Sequence, residues 1–234
     1  MKKFELTTDS IKRNGVTLYR IKSLIDFEDV KAGDLGGYVE KEENLSQSGN
    51  AWVYGNAQVY RNALVCDDAL VCDDARVSGN ARVYGNAWVS GNAWVYGNAE
   101  VSGDACVSGN ARVSGDACVS GDAWVSGDAW VYGDALVSGN ALVYGNAEVS
   151  GDACVSGDAL VSDNADYIYL KGFGSHNRST TMFRAKGGNI CVSCGCFSGT
   201  LEEFESKVKE THGSNKFARE YLALVEAAKI HFEV

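Results

Sequence analysis

The chain has 234 residues, of which 45% are hydrophobic and 22% charged, so disorder as a whole is excluded and one or two domains fit the length. No run approaches the roughly eighteen apolar residues of a membrane helix, and the stretch Met1 to Asp9 carries lysines with no apolar core behind them. Neither a membrane span nor a secretory signal is expected, and the cytoplasm is the expected compartment. A net charge of −10 argues against direct binding to nucleic acid or to an anionic membrane. Eight cysteines in a chain of this length without an export signal read as reduced thiols.

The first element is a hairpin. Between Ser10 and Ile21, Asn14-Gly15 separates two β-rich runs, which predicts a tight turn. Residues 1–34 are assigned as a β cap, because an open solenoid end would leave unpaired strand edges and apolar core. Coiling is expected to begin near Leu35, with Val39 and Leu45 continuing the alanine column of the repeat that follows.

From Gly49 to Asp166 the hexad Gly-Asn/Asp-Ala-x-Val-Ser/Tyr runs in tandem, with alanine in all twenty units and valine in nineteen. Ala-x-Val is a short strand whose period of two sends Ala and Val inward and x outward, and Gly-Asn/Asp supplies the turn. Six residues make one side, so eighteen close a triangular coil, and coils stack at about 4.8 Å. Residues 35–167 are therefore read as a parallel β-helix. Sorted at eighteen-residue spacing, one outward side carries Trp52, Leu70, Trp88, Cys106, Trp124, Leu142 and Leu160, all apolar. The second carries Gln58, Arg76, Trp94, Arg112, Trp130, Glu148 and Asp166, where stacking of arginine on tryptophan is expected. The third carries Leu64, Arg82, Glu100, Cys118, Leu136 and Cys154.

Fifteen carboxylates against four arginines give the repeat a charge of −11, so the acidity resides there. Asp116, Asp134 and Asp152 stack along one edge, and Asp104 and Asp122 along another. Turn chemistry explains them, with a cation-binding edge or a DNA-mimicking surface as the sharper alternatives.

Residues 168–234 are read as a strand plus a two-helix appendage. Asn189 to Phe197 reads as the strand. Thr200 and Glu203 form a capping box opening a helix that Gly213 ends, and a second helix from about Ser214 carries Phe217, Tyr221, Leu224, Val225 and Ala228 at helical spacing. That aromatic stripe is expected to close the last coil. Cys191, Cys194 and Cys196, with His212, form a weak candidate zinc set. Strand alternation puts Cys194 and Cys196 on one face and Cys191 on the other, which suits packed apolar thiols better.

The uninterrupted hexads resemble the hexapeptide-repeat proteins with left-handed parallel β-helices, and the handedness is what that resemblance implies. The lead-in Asp29-Val30-Lys31-Ala32-Gly33-Asp34-Leu35-Gly36-Gly37-Tyr38-Val39, followed by Asn44-Leu45-Ser46-Gln47, resembles the YdcK-like branch, whose members carry a transferase label by fold analogy. The tail from Gly195 to Phe204, followed by Thr211-His212-Gly213 and Arg219-Glu220-Tyr221, resembles that of phage and prophage hexapeptide-repeat proteins. The resemblance implies homo-oligomers, trimers above all. For the enzymes among them it implies a histidine base near a subunit interface.

Here His176, His212 and His231 all lie outside the repeat and no loop interrupts the coils, so no catalytic residue is assigned beyond the weak candidate His212. No cofactor is expected. The reading is a non-catalytic binding or interaction protein, of phage or prophage origin, acting on a host protein or host-derived small ligand. The alternative is a hexapeptide-family acyltransferase or a degenerate relative of one. The apolar side Trp52 to Leu160 is the expected interface, and Arg76, Trp94, Arg112 and Trp130 form a second candidate face. Two covers for the apolar side are open: another copy of the chain, or the C-terminal helices folded back along the prism.

Overall fold

The hexad builds the molecule one corner at a time. In the computed structural model, which describes residues 2–234, each Ala-x-Val from Ala51 to Val161 places x and Val in a two-residue strand. The glycine that follows turns the chain with positive φ. Gly97, at φ 76°, is typical: an added Cβ would lie 2.9 Å from the Gly115 nitrogen, so the residue permits both the turn and the close stacking of coils. Arg61, Asp67 and Asp73 take the glycine's place in the hexad at three successive corners, at φ 63°, 60° and 60°. The carboxylates of Asp67 and Asp73 accept hydrogen bonds from Gly85 N–H (3.2 Å) and Gly91 N–H (2.9 Å) one coil on, which offsets part of the left-handed strain.

Eighteen residues make one coil. Trp88 pairs in parallel with Leu70 below and Cys106 above, and its N–H donates to the Ala105 carbonyl at 2.9 Å. Three sheets result: a parallel seven-stranded sheet from Trp52–Val53 to Leu160–Val161, a parallel six-stranded one from Leu64–Val65 to Cys154–Val155, and a mixed nine-stranded one that adds three N-terminal strands. The alanines and valines fill a dry axis with the small and branched side chains that a narrow prism accommodates.

The cap is the predicted hairpin, Phe4–Arg13 with Val16–Ser23, turned at Asn14 (φ 49°) and Gly15 (φ 80°). Strand Leu35–Val39 joins it to the prism, running antiparallel to Val16–Ser23 and parallel to Gln58–Val59. Buried side chains satisfy the open end of the first coil. Lys3 Nζ donates to the carbonyls of Ala51 (2.9 Å) and Gly49 (3.2 Å), and Asn44 Nδ2 donates to those of Ala63 (2.7 Å) and Arg61 (3.0 Å). Burial pulls the Lys3 amine down to about 8, partly opposed by the charge of Asp68.

The expected register of the first coil is corrected. Val39 pairs with Val59 and Leu45 with Val65, so both occupy the valine column rather than the alanine column. The repeat's eighteen-residue step is twenty here, and the surplus lies between Leu45 and Ala51, where Gln47 accepts the Lys3 N–H at 2.7 Å.

The coil ends after Val161. Ala165 is exposed in a 3-10 turn, Asn164–Asp166, and Asp166 leaves the second column to accept from Ser162 and pair with Arg184 (3.2 Å). Four antiparallel strands follow, Tyr167–Phe173, Arg178–Arg184, Ile190–Cys194 and Phe197–Thr200. Sequence reading gives a single strand from Asn189 to Phe197, so the first two are unanticipated, and the single strand is corrected to two, broken by a turn at Gly195-Cys196. One face of this sheet closes the prism: Phe183 enters the axial core and Thr181 Oγ1 accepts the Cys154 N–H at 2.9 Å. The opposite face, with Met182, Ile190, Val192 and Cys194, carries helices α1 (Leu201–His212) and α2 (Lys216–Phe232). The last coil is thus closed by the sheet and not by the helices' aromatic stripe, which packs on the far side.

The capping box is present, with Glu203 N–H donating to Thr200 Oγ1 (3.2 Å) and Thr200 N–H to Glu203 Oε2 (2.8 Å). Among the described residues no helix is long and apolar enough to cross a membrane.

Candidate functional site

The seven-stranded sheet carries the apolar column in the order read from sequence, Trp52, Leu70, Trp88, Cys106, Trp124, Leu142, Leu160. Trp52 does not face outward into solvent as expected. It is 1% exposed, clamped edge-on by Phe4 (6.3 Å) and Phe27 (5.5 Å) of the cap. Trp88 and Trp124 are 51% and 50% exposed. Each indole is tied back to the coil below, Trp88 Nε1 donating to Cys72 Sγ (2.9 Å) and Trp124 Nε1 to Ser108 Oγ (3.0 Å). The ring N–H is satisfied inside the molecule, which leaves the apolar ring available to a partner. Burial pushes the thiols of Cys72 and Cys106 up, so both stay protonated and Cys106 acts as a small apolar group in the column. Trp124, Leu142, Tyr144 and Leu160 shape a shallow groove of about 290 Å³ at the upper end. Because α1 and α2 pack on the C-terminal sheet, they are not the cover of this side.

On the second side tryptophan and arginine do alternate, Trp94 lying between Arg76 and Arg112, and Arg112 between Trp94 and Trp130. The expected stacking is corrected. Cation–π pairs among the described residues are at Lys3–Phe27, Arg20–Tyr38, Arg82–Tyr84 and Arg184–Phe232, whereas Trp94 and Trp130 stack on Tyr96 (4.5 Å) and Tyr132 (4.6 Å) of their own coils. Their N–H groups donate to Ser78 and Ser114 one coil below. The signal for this was present: Trp-Val-Tyr alternates with Arg-Val-Ser every eighteen residues, a two-coil period visible only when the corner residue is sorted with x. Arg76 Nε and Gln58 Oε1, one coil apart, are buried without hydrogen-bond partners.

The corners carry ladders. Asn62, Asn80 and Asn98 each donate a side-chain hydrogen bond to the residue eighteen positions on, ending at Asp116 Oδ1 (2.8 Å). A carboxylate accepts but cannot donate, so the ladder stops there. Asp134 and Asp152 continue the edge as charges, and Lys171 with Tyr169 closes it by holding the Asp152 carboxyl below its usual range.

The weak catalytic and metal candidates scatter. Cys191 faces the prism and Cys194 the helices, as strand alternation requires. Cys196 leaves the strand for the exposed turn after Gly195. His212 ends α1 with its ring 5.9 Å from Tyr221 and 6.1 Å from Phe217. Among the described residues no group of three or more His, Cys, Asp or Glu is placed to hold a metal ion. Cys194, Cys196 and His212 do border a cleft that also gathers His176, Arg178 and Tyr221. Sequence reasoning missed that cleft because its walls come from separate strands, turns and helices with no shared spacing.

The fold and its outward columns define a class, the hexapeptide-repeat parallel β-solenoids. Segments 75–91, 105–121, 111–127 and 129–145 match the YdcK beta solenoid repeat. A stretch of 51 residues is 43% identical to a protein of Escherichia coli (strain K12) named "Uncharacterized acetyltransferase YdcK", covering 22% of this chain and 15% of that protein. Over these stretches the prism is similar to the YdcK beta solenoid repeat, and the chain spans well under two thirds of the relative's length.

Proposed function

We propose that this protein is a non-catalytic binding protein that works as a rigid oligomer, joined along the apolar side from Leu70 to Leu160. The observation that carries this reading is the pair Trp88 and Trp124, half exposed in a continuous apolar column while the chain's own helices are engaged elsewhere. A soluble chain rarely leaves such a stripe bare. Another copy is the occupant we favour, because a straight column in coil register is complementary to itself about a symmetry axis, and the family resemblance points to trimers. The second side, with Arg76, Trp94, Arg112 and Trp130, then faces outward for a host protein or host-derived ligand. The phage or prophage setting rests on the resemblance of the tail from Gly195 onward.

The double variant Trp88→Glu/Trp124→Glu tests the reading. Light scattering should give folded monomers where wild type gives an oligomer, and a variant of unchanged mass would sink it.

The printed name of the E. coli relative favours a second reading, acyl transfer. Against it, the three histidines lie off the prism, and His212 sits at a helix C-terminus against the rings of Phe217 and Tyr221. Labelled acetyl-CoA with candidate amine acceptors decides between them: turnover abolished by His212→Ala would establish the enzyme.

A further inference from the structure

The cleft between the C-terminal sheet and α1 lies apart from the prism faces and encloses about 460 Å³, within the range of small-molecule sites. Its apolar wall is a continuous aromatic cluster. Phe197 lies 5.2 Å from Phe204, Phe204 meets Tyr221 edge-on at 5.6 Å, and His212 stacks on Tyr221 at 5.9 Å. Its polar rim holds two cations, Arg178 and Lys207, beside the imidazoles of His176 and His212, and Lys207 is paired with Glu210 at 2.8 Å, outside the lining. Arg178 has no carboxylate within 4.0 Å among the described residues, and its one side-chain neighbour in hydrogen-bond geometry is Cys196 Sγ at 4.0 Å.

Two glycines make the room. A Cβ on Gly195 would fall 2.2 Å from Arg178 Nη1, and one on Gly174 would fall 2.0 Å from Tyr221 Oη. The guanidinium therefore lies directly against the bare turn at Gly195. Tyr221 Oη donates to the Phe173 carbonyl at 3.4 Å, and the rings of Tyr221 and Phe204, 5% and 4% exposed, form the floor of the cleft beneath Phe197.

A half-buried, uncompensated guanidinium beside two imidazoles and above an aromatic wall is chemically matched to one kind of guest. We propose that this cleft binds a small organic anion, its phosphate or carboxylate held in the fork of Arg178 with His176 and His212 beside it. The flat apolar body of the guest lies against Phe197, Phe204 and Tyr221. The site is independent of the oligomer reading, since none of its residues lies on the prism.

Titration calorimetry on the full chain at pH 7 tests it, with 1-naphthyl phosphate and 1-naphthoate as anionic probes and 1-naphthol as the neutral one. At least one anion should bind saturably, once per chain, and at least tenfold more tightly than 1-naphthol. Arg178→Gln should weaken it tenfold or more, while Lys12→Gln on the exposed cap hairpin leaves it unchanged. No saturation at millimolar probe, equal affinity for 1-naphthol, or an unaffected Arg178→Gln protein would overturn the proposal. If Arg178→Gln loses its helical circular dichroism, competition on wild type decides. Excess inorganic phosphate should displace the phosphate probe, and failure to do so would overturn the assignment of Arg178 as the anion holder.

Discussion

Trp52 and Trp88 occupy the same column of the same sheet, two coils apart, yet one is sealed and the other half bare. Strand spacing gives both the same direction. The difference is made outside the repeat, by Phe4 and Phe27 of the cap, which cover the first coil and stop. At the far end the C-terminal sheet enters the axial core without covering Trp124. The chain therefore spends its non-repetitive residues on the two ends of the prism and leaves the middle of its apolar side to something else.

The largest expected effect separates these two regions. Trp52→Ala should destabilise the fold by about 3–5 kcal/mol, the range for emptying a buried aromatic site, whereas Trp88→Ala should change subunit stability by only about 0.5 kcal/mol. Urea titrations of both, at concentrations low enough to favour monomers, make the comparison. Similar losses would mean that Trp88 is held within the chain after all.

A second contrast lies along the corners. At Gly115, φ is 73° and an added Cβ would come 2.8 Å from the Gly133 carbonyl oxygen, so Gly115→Ala should cost about 1–3 kcal/mol. The first coils already tolerate Asp67 and Asp73 at the glycine position of the other two corners, and their replacement by glycine should alter the melting temperature much less. Next comes the ladder. Asn98→Asp removes the donor to Asp116 and sets two carboxylates against each other, for a loss of about 1 kcal/mol that shrinks as salt is added. A loss independent of salt would assign it to geometry alone.

The last contrast concerns the capped end. Because burial puts the Lys3 pKa at about 8, below the unfolded 10.5, the unfolded chain binds more protons between those values. Protection of the first coil against hydrogen exchange, corrected for intrinsic rates, should therefore rise as pH goes from 8 to 10.5. A Lys3 amine that titrates with ordinary lysines in NMR would remove the effect.

These contrasts also show what was legible. The prism, its three columns and its inward and outward alternation follow from a period that never slips between Ala51 and Val161. The hairpin and the helix cap at Thr200 follow from local turn chemistry. The first coil was misread because Val39 and Leu45 match the alanine column by number, while two extra residues before Ala51 shift the actual pairing. The strands Tyr167–Phe173 and Arg178–Arg184 are β-rich and their partner was unknown, so nothing local distinguished them from loop. The burial of Trp52 was illegible for a similar reason, since Phe4 and Phe27 reach it from outside the repeat.

The claim that the bare apolar side is a contact between copies is tested most directly by the mass of the unmodified protein. Sedimentation equilibrium across a hundredfold concentration range should give a whole-number multiple of 25.0 kDa at the upper end. A single species of 25.0 kDa at every concentration would contradict it.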